Sequence, residues 1–434
     1  VDVDTAAQLA ANAGISGLRH LRVAAASHST ASTEALGGSN GTSLALAGAT
    51  AITVATERTT AIIDAANSAL LASGNVVVEA EQIAPVKTTA RGAAESGDAA
   101  VGVVISLAFV DHRVTATTAR DITAEGTITI RVTGASSTVT LAEATAGGAP
   151  GENTASPGQP AAGQPSATDS LESARGFAAG AAGGASAVPA SLPKPTTPNG
   201  TVTVAAALAV TIHNTVADAS VSGVTLTASA VTLSARHHDI ADSTASGQPD
   251  NRGPPSTVTI AAGIAITVVD VTIAATAGAG TTIHTTALTL SAGVGTTDAE
   301  GNPATAHRFA ATSIAGAGNG GTLGLAGSLA ILVASIDTSA KLLAGANVEI
   351  APGGSLAIAA DSAATSTATA HVAGEAGGLT VGVGASVATA VIDHVTLAAI
   401  ADGAVVTGGA RIAITAAAND RTVTLAEGSA AGSS

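Results

Sequence analysis

The sequence predicts an all-β chain, an elongated parallel β-solenoid of about 56–57-residue repeats with Pro/Gly-rich loop insertions. Three observations lead there: large side chains are nearly missing, strand-forming residues alternate with tiny ones, and one pattern returns along the chain. Among 434 residues there are 50 Gly, three Phe and no Cys, Met, Trp or Tyr, so the side chains that usually fill a globular core are scarce. Val, Thr and Ile favour strands. Ala-rich helices would carry Leu, Glu and Lys on periodic faces, and those residues are few. Small side chains still bury area when two sheets approach closely.

The recurrence is visible where each apolar run meets a polar residue: Glu57, Asp111, His213, Asp270, Asp337 and Asp393. These six are expected to form a structural corner column. Each repeat opens on a long strand of Val or Ile alternating with Ala, Gly or Ser, as in residues 379–392, a pattern expected to be buried on both faces. A turn and a second strand follow, as in residues 75–80, 231–235, 288–292 and 411–416. A Ser/Thr/Ala strand then completes three strands per repeat. Turns are expected at Asn40-Gly41, Asn199-Gly200 and Asn319-Gly320, because Asn-Gly readily supplies positive φ.

The implied division is a partial repeat at 1–40, then repeats at 41–96, 97–199, 200–255, 256–320, 321–377 and 378–434. The third carries a Pro/Gly-rich insertion at about 144–199, where prolines remove ladder donors and mark a surface excursion. A smaller excursion is expected at 247–255. The first and last stretches read as pieces of a longer array, with the export signal outside this chain.

With that order of parts, the sequence resembles the β-strand repeats of large bacterial filamentous adhesins, the leukotoxin-type and haemagglutinin-like surface proteins. The corner is matched by residues 212–215 (Ile-His-Asn-Thr), 269–270 (Val-Asp) and 392–394 (Ile-Asp-His), and the closing strand by 231–235 and 288–292. No tyrosine stands at the aromatic step of those repeats. The resemblance implies a cell-surface or secreted rod or scaffold for adhesion or cell-cell contact. The alternative is a self-assembling extracellular filament, sheath or surface-layer subunit.

Stacked Asp270, Asp337 and Asp393 would repel, and a bound Ca²⁺ could relieve them, but solvated corner residues are the simpler reading and no cofactor is expected. His237-His238-Asp239 is the tightest histidine cluster, yet His28, His307 and His371 do not share its column, so no metal site is expected. A polysaccharide-active β-helix enzyme wants aromatic platforms that are missing here, and ice binding wants threonine arrays more regular than these, so the chain is expected not to be an enzyme. A net charge of −15 without basic clusters argues against nucleic acid. No apolar run reaches the ~20 residues of a spanning helix. The expected partners are other cells, surfaces or copies of the chain itself, outside the cell or on its surface.

Overall fold

The structure, a computed structural model, describes residues 1–11, 13–147, 202–249, 257–295, 305–316, 322–373 and 380–431. The chain runs through β1 (Asp2–Leu9), β2 (Leu21–His28), β3 (Ala31–Gly41), β4 (Leu44–Ile63), β5 (Leu70–Ala72), β6 (Val76–Ser96) and β7 (Ala99–Thr118). Next come β8 (Ile122–Ala124), β9 (Thr127–Gly147), β10 (Val202–Val221), β11 (Thr225–Pro249), β12 (Val258–Ala277) and β13 (Thr282–Val294). It ends with β14 (His307–Ala315), β15 (Leu323–Leu342), β16 (Asn347–Val372), β17 (Val381–Ile400), β18 (Val405–Gly408), β19 (Arg411–Glu427) and β20 (Ala430–Ala431). The all-β expectation stands.

These strands form two sheets. The first is ordered β1-β4-β7-β10-β12-β15-β17-β20, parallel throughout except where β17 meets β20. Leu44 lies opposite Ala99, Ala99 opposite Val202, Val202 opposite Val258, Val258 opposite Leu323 and Leu323 opposite Val381. The remaining twelve strands make the second sheet, built around β6, β9, β11 and β16.

The elongated parallel β-solenoid of even repeats is corrected on three counts. Steps between partners are unequal, 55 residues from Leu44 to Ala99 but 103 from Ala99 to Val202. Strand lengths in the second sheet run from the 3 residues of β5 to the 26 of β16, with a register slip against β13 between Thr285 and Ala287. Finally, β11 pairs with both β13 and β14, and both of these pair with β16. Four parallel strands thus close a circuit, the connectivity of a small barrel, inside an otherwise irregular sheet. The cause is extra chain between β13 and β14, past which β11 and β16 run unbroken.

The adhesin resemblance falls with the even rungs, and the rod goes with it. The main hydrophobic cluster, from Val23 to Ala370, joins residues far apart in sequence across both sheets, with two clusters of four residues beside it. That is how a globular domain coheres, not a rod-like adhesive scaffold, a filament, a sheath or a surface layer. The three-strand repeat is also corrected: the expected second and third strands fuse into single long strands such as β9 and β11.

Inside, side-chain size is graded. Near the starts of the first-sheet strands the inward positions are small, as in Ala100 and Gly102 of β7 or Ala205, Ala207 and Ala209 of β10. Backbones there nearly touch: a Cβ on Gly102 would lie 2.5 Å from the Thr145 carbonyl oxygen. Toward the other edge Ile63, Ile122, Ile128, Ile130, Leu226 and Ile283 are fully buried. The gap between sheets is therefore a wedge, narrow where Ala and Gly line it. Each buried Ile or Leu at the wide edge contributes roughly 1.5–3 kcal/mol.

Glycines with positive φ set the turns at the wide edge. Gly280 donates its N–H to the Gly345 carbonyl and Gly345 to the Gly403 carbonyl, both at 3.0 Å, with φ of 72°, 78° and 77° along this column. Asn40-Gly41 is not a turn. It ends β3 opposite Glu95 and Ser96, and the chain bends at Thr42 and Ser43 instead. Asn199-Gly200 and Asn319-Gly320 lie outside the described residues.

Candidate functional site

Polar side chains fill the middle of the wedge, between its apolar edges. Alternation along the strands turns Glu57 (β4), His112 (β7), His213 and Thr215 (β10) inward from one sheet, and Ser136 and Thr138 (β9), His237 and Asp239 (β11) and His307 (β14) inward from the other. Asp239, fully buried, is the hub. Its Oδ1 accepts the Ser136 hydroxyl at 2.7 Å, the Thr215 hydroxyl at 2.8 Å and the His213 ring Nε2–H at 3.1 Å. The Thr138 hydroxyl meets His213 Nδ1 at 2.8 Å. His237 Nδ1 and His307 Nδ1 lie 3.1 and 3.2 Å from Asp239 Oδ2, but His307 Nδ1 accepts the Asp239 backbone N–H. Hydroxyl pairs extend this seam, Thr53 with Thr88 at 2.6 Å and Thr211 with Thr140 at 2.7 Å. Farther along, His394 binds Ser362 at 2.6 Å and pairs with Asp420.

Ser136, His213 and Asp239 do not make a nucleophilic triad. Both the hydroxyl and the carboxylate crowd Nε2 of one ring, whereas proton relay needs them on opposite nitrogens. The hub is also sealed from solvent.

Burial acts first on these groups. It drives the fully buried His112 well below the usual imidazole value, helped by His213 and His237, and it pushes the Glu57 carboxyl up. Burial alone would also raise Asp239, but the His237 charge and the ring hydrogen bonds outweigh it and hold that carboxyl well below the usual range. His112 Nδ1 and Glu57 Oε2 stand 3.9 Å apart, too far for a hydrogen bond. A histidine whose folded pKa is lowered takes up its proton in the unfolded chain first. Stability is therefore lost as pH falls below about 6.5 toward the folded value. His112→Leu is expected to flatten the fall in denaturant midpoint between pH 7 and pH 5. An unaltered slope would show that other groups drive it.

The second feature is on the outside. In the first half of each long first-sheet strand most Val, Ile and Leu residues turn outward, as at Leu46, 62% exposed, Val103, 44%, and Ile264, 36%, although Val104 and Leu332 turn inward. Burial on both faces, expected from the alternation, is thus corrected, because the narrow gap admits only the small residues. Six consecutive outward positions in each of six strands form a largely apolar field, interrupted by Thr50 and Thr389. It measures about 33 Å along the strands and about 24 Å across them, about 800 Å². Solvent-facing apolar patches on single domains seldom exceed a few hundred Å².

A polar ladder bounds this field, with Asp111, Asn214, Asp270, Ser335 and Asp393 in register. Asn214 Nδ2 donates to Asp111 Oδ1 at 2.8 Å. Three of the six corner residues therefore share a row. Glu57 and His213 turn inward, opposite His112 and Val110, and Asp337 lies two positions farther, between Thr272 and Val395. Ser335 separates Asp270 from Asp393, so no carboxylate cage forms there. Among the described residues no three His, Cys, Asp or Glu side chains are placed to hold a metal ion. His307 does join the His237–Asp239 cluster, because chain inserted before β14 brings it opposite Asp239. A fixed period hides that contact.

The outer face of the second sheet carries a depression of about 310 Å³ beside Arg236 and Asp361. Its charges are already paired, Arg236 Nη2 to Asp361 Oδ1 at 3.1 Å. Among the described residues no helix is long and apolar enough to cross a membrane.

Fold and site together define an all-β double-sheet domain with a sealed polar seam and one apolar outer face. Comparison with family models, with curated proteins and with solved structures gives no match.

Proposed function

We propose that this domain works by binding, not catalysis, and that the apolar field of the first sheet is its docking face for an apolar protein surface. The observation that carries the reading is the field itself, about 800 Å² of sheet face on which most outward residues are Val, Ile or Leu, ending at one row of polar residues. The non-enzymatic part is supported by the burial of the Asp239 hub, which keeps its acid-base groups from any substrate. An extracellular setting belongs to the same proposal, and the absence of cysteine permits an oxidising compartment without pointing to one.

Leu208 and Ile264 lie at the centre of the field, in adjacent strands. Leu208→Asp/Ile264→Asp is expected to fold normally by circular dichroism and to lose most of its retention on a phenyl matrix at low salt. Retention equal to that of the unaltered chain would remove the field as the docking face.

A further inference from the structure

Resting on that reading, the geometry points to a second copy of this chain as the occupant: two first sheets packed face to face about a two-fold axis that runs along the stacking direction, across the strands. The relief of the field supports this. Outward residues at equivalent positions form columns across the sheet. The third column is shallow at Gly48, Ala206, Ala262 and Gly327, with Val103 of β7 standing out of it, and the fourth is tall at Ile105, Leu208, Ile264 and Leu329, with Thr50 of β4 the shorter member. A two-fold axis through the middle of the field exchanges third with fourth, so each copy's ridge lies over the other's trough. Sheets packed face to face gain most from such interdigitation.

Area and charge agree with it. About 800 Å² on each copy is what a stable pair of proteins buries per partner. The same axis sends the polar ladders to opposite margins, keeping Asp111, Asp270 and Asp393 of one copy away from those of the other. An axis along the strands would instead stack acid on acid. The contact is isologous, so it closes at two copies. A lipid surface fits less well: the field holds one aromatic residue, Phe109, its margin is acidic, and the chain carries a net charge of −15.

Sedimentation equilibrium of the whole chain in the micromolar range tests the pairing. The unaltered chain should be dimeric. Ala262→Leu/Gly327→Leu fills the trough with apolar atoms; a Cβ at Gly327 meets nothing within 4 Å, so folding is spared. This variant should dissociate at least tenfold more readily while keeping the circular dichroism spectrum of the unaltered chain. A spin label on Asp270→Cys, in a chain with no other cysteine, should report a pair on the order of 45 Å apart, seven column steps of about 6.7 Å. A monomer that still binds the phenyl matrix would overturn the second copy but leave the docking face intact. Undiminished dimerisation of the trough-filled variant, or labels within about 20 Å, would overturn the two-fold arrangement. Binding of phosphatidylcholine or phosphatidylserine vesicles by a monomer would assign the field to lipid.

Discussion

Gly247→Val should destabilise the domain by more than about 4 kcal/mol, an effect at the far end of the range for single substitutions. Gly247 lies inward near the end of β11, at the narrow edge of the wedge. A Cβ there would stand 2.1 Å from the Ala262 carbonyl oxygen and 2.8 Å from that of Ala205. Overpacking ordinarily costs about 1–3 kcal/mol because side chains move aside. Here the obstacles are the backbones of β10 and β12, each hydrogen-bonded to strands on both sides, and relief requires the sheets to part. Gly14→Val is the control. Gly14 is exposed, a Cβ there meets nothing within 4 Å, and the effect is expected within about 0.5 kcal/mol. Equal denaturant midpoints for the two variants would refute the close approach of the sheets.

Asp239→Ala should cost about 3–5 kcal/mol, as removal of one partner from a buried charged cluster does. The loss strands the hydroxyls of Ser136 and Thr215 and the His213 N–H without their acceptor. Asp239→Asn retains an oxygen acceptor and should recover part of the loss. The carboxyl is held low, so its contribution is present above the unfolded value near 3.8 and disappears as pH falls through the folded one. The gap in denaturant midpoint between the native chain and Asp239→Ala should therefore be smaller at pH 3 than at pH 7. A gap of unchanged size at pH 3 would show that the carboxylate charge is not what the seam depends on.

Much of the local structure is legible in the residues. Alternation of Val and Ile with Ala, Gly and Ser over 323–342 or 258–277 marks β15 and β12. The pattern also tells which residues share a face. It does not tell which face is inside, because a large apolar residue normally goes in. Here Gly102, Ala205 and Ala207 take the interior, and Ile264 and Leu329 remain outside. Equivalence of corner residues also read only in part: Asp111, Asp270 and Asp393 share a row, but Asp337 stands two positions away and His213 turns inward. A shift of one position along a strand moves a side chain to the other face.

The polar seam was half visible. His237 and Asp239, two apart in a strand, had to share a face, and their sequence cluster stood out. The approach of His213 from the opposite sheet and of His307 past an insertion carried no local signal. Likewise the mirrored relief of the outer field, a trough of Gly and Ala beside a ridge of Leu and Ile, emerges only when strands are set in register.

Composition and alternation by themselves determined that this protein is all-β, short of large side chains, and built from strands with one small face and one large apolar face. The tertiary structure decided the rest: two sheets closing into one core with unequal steps, the small faces turned inward, the histidines gathered on Asp239. The physical reason is that alternation is a property of one strand, set by backbone geometry. Which face is buried depends on how closely a second sheet can approach, and that distance belongs to no single stretch of the chain.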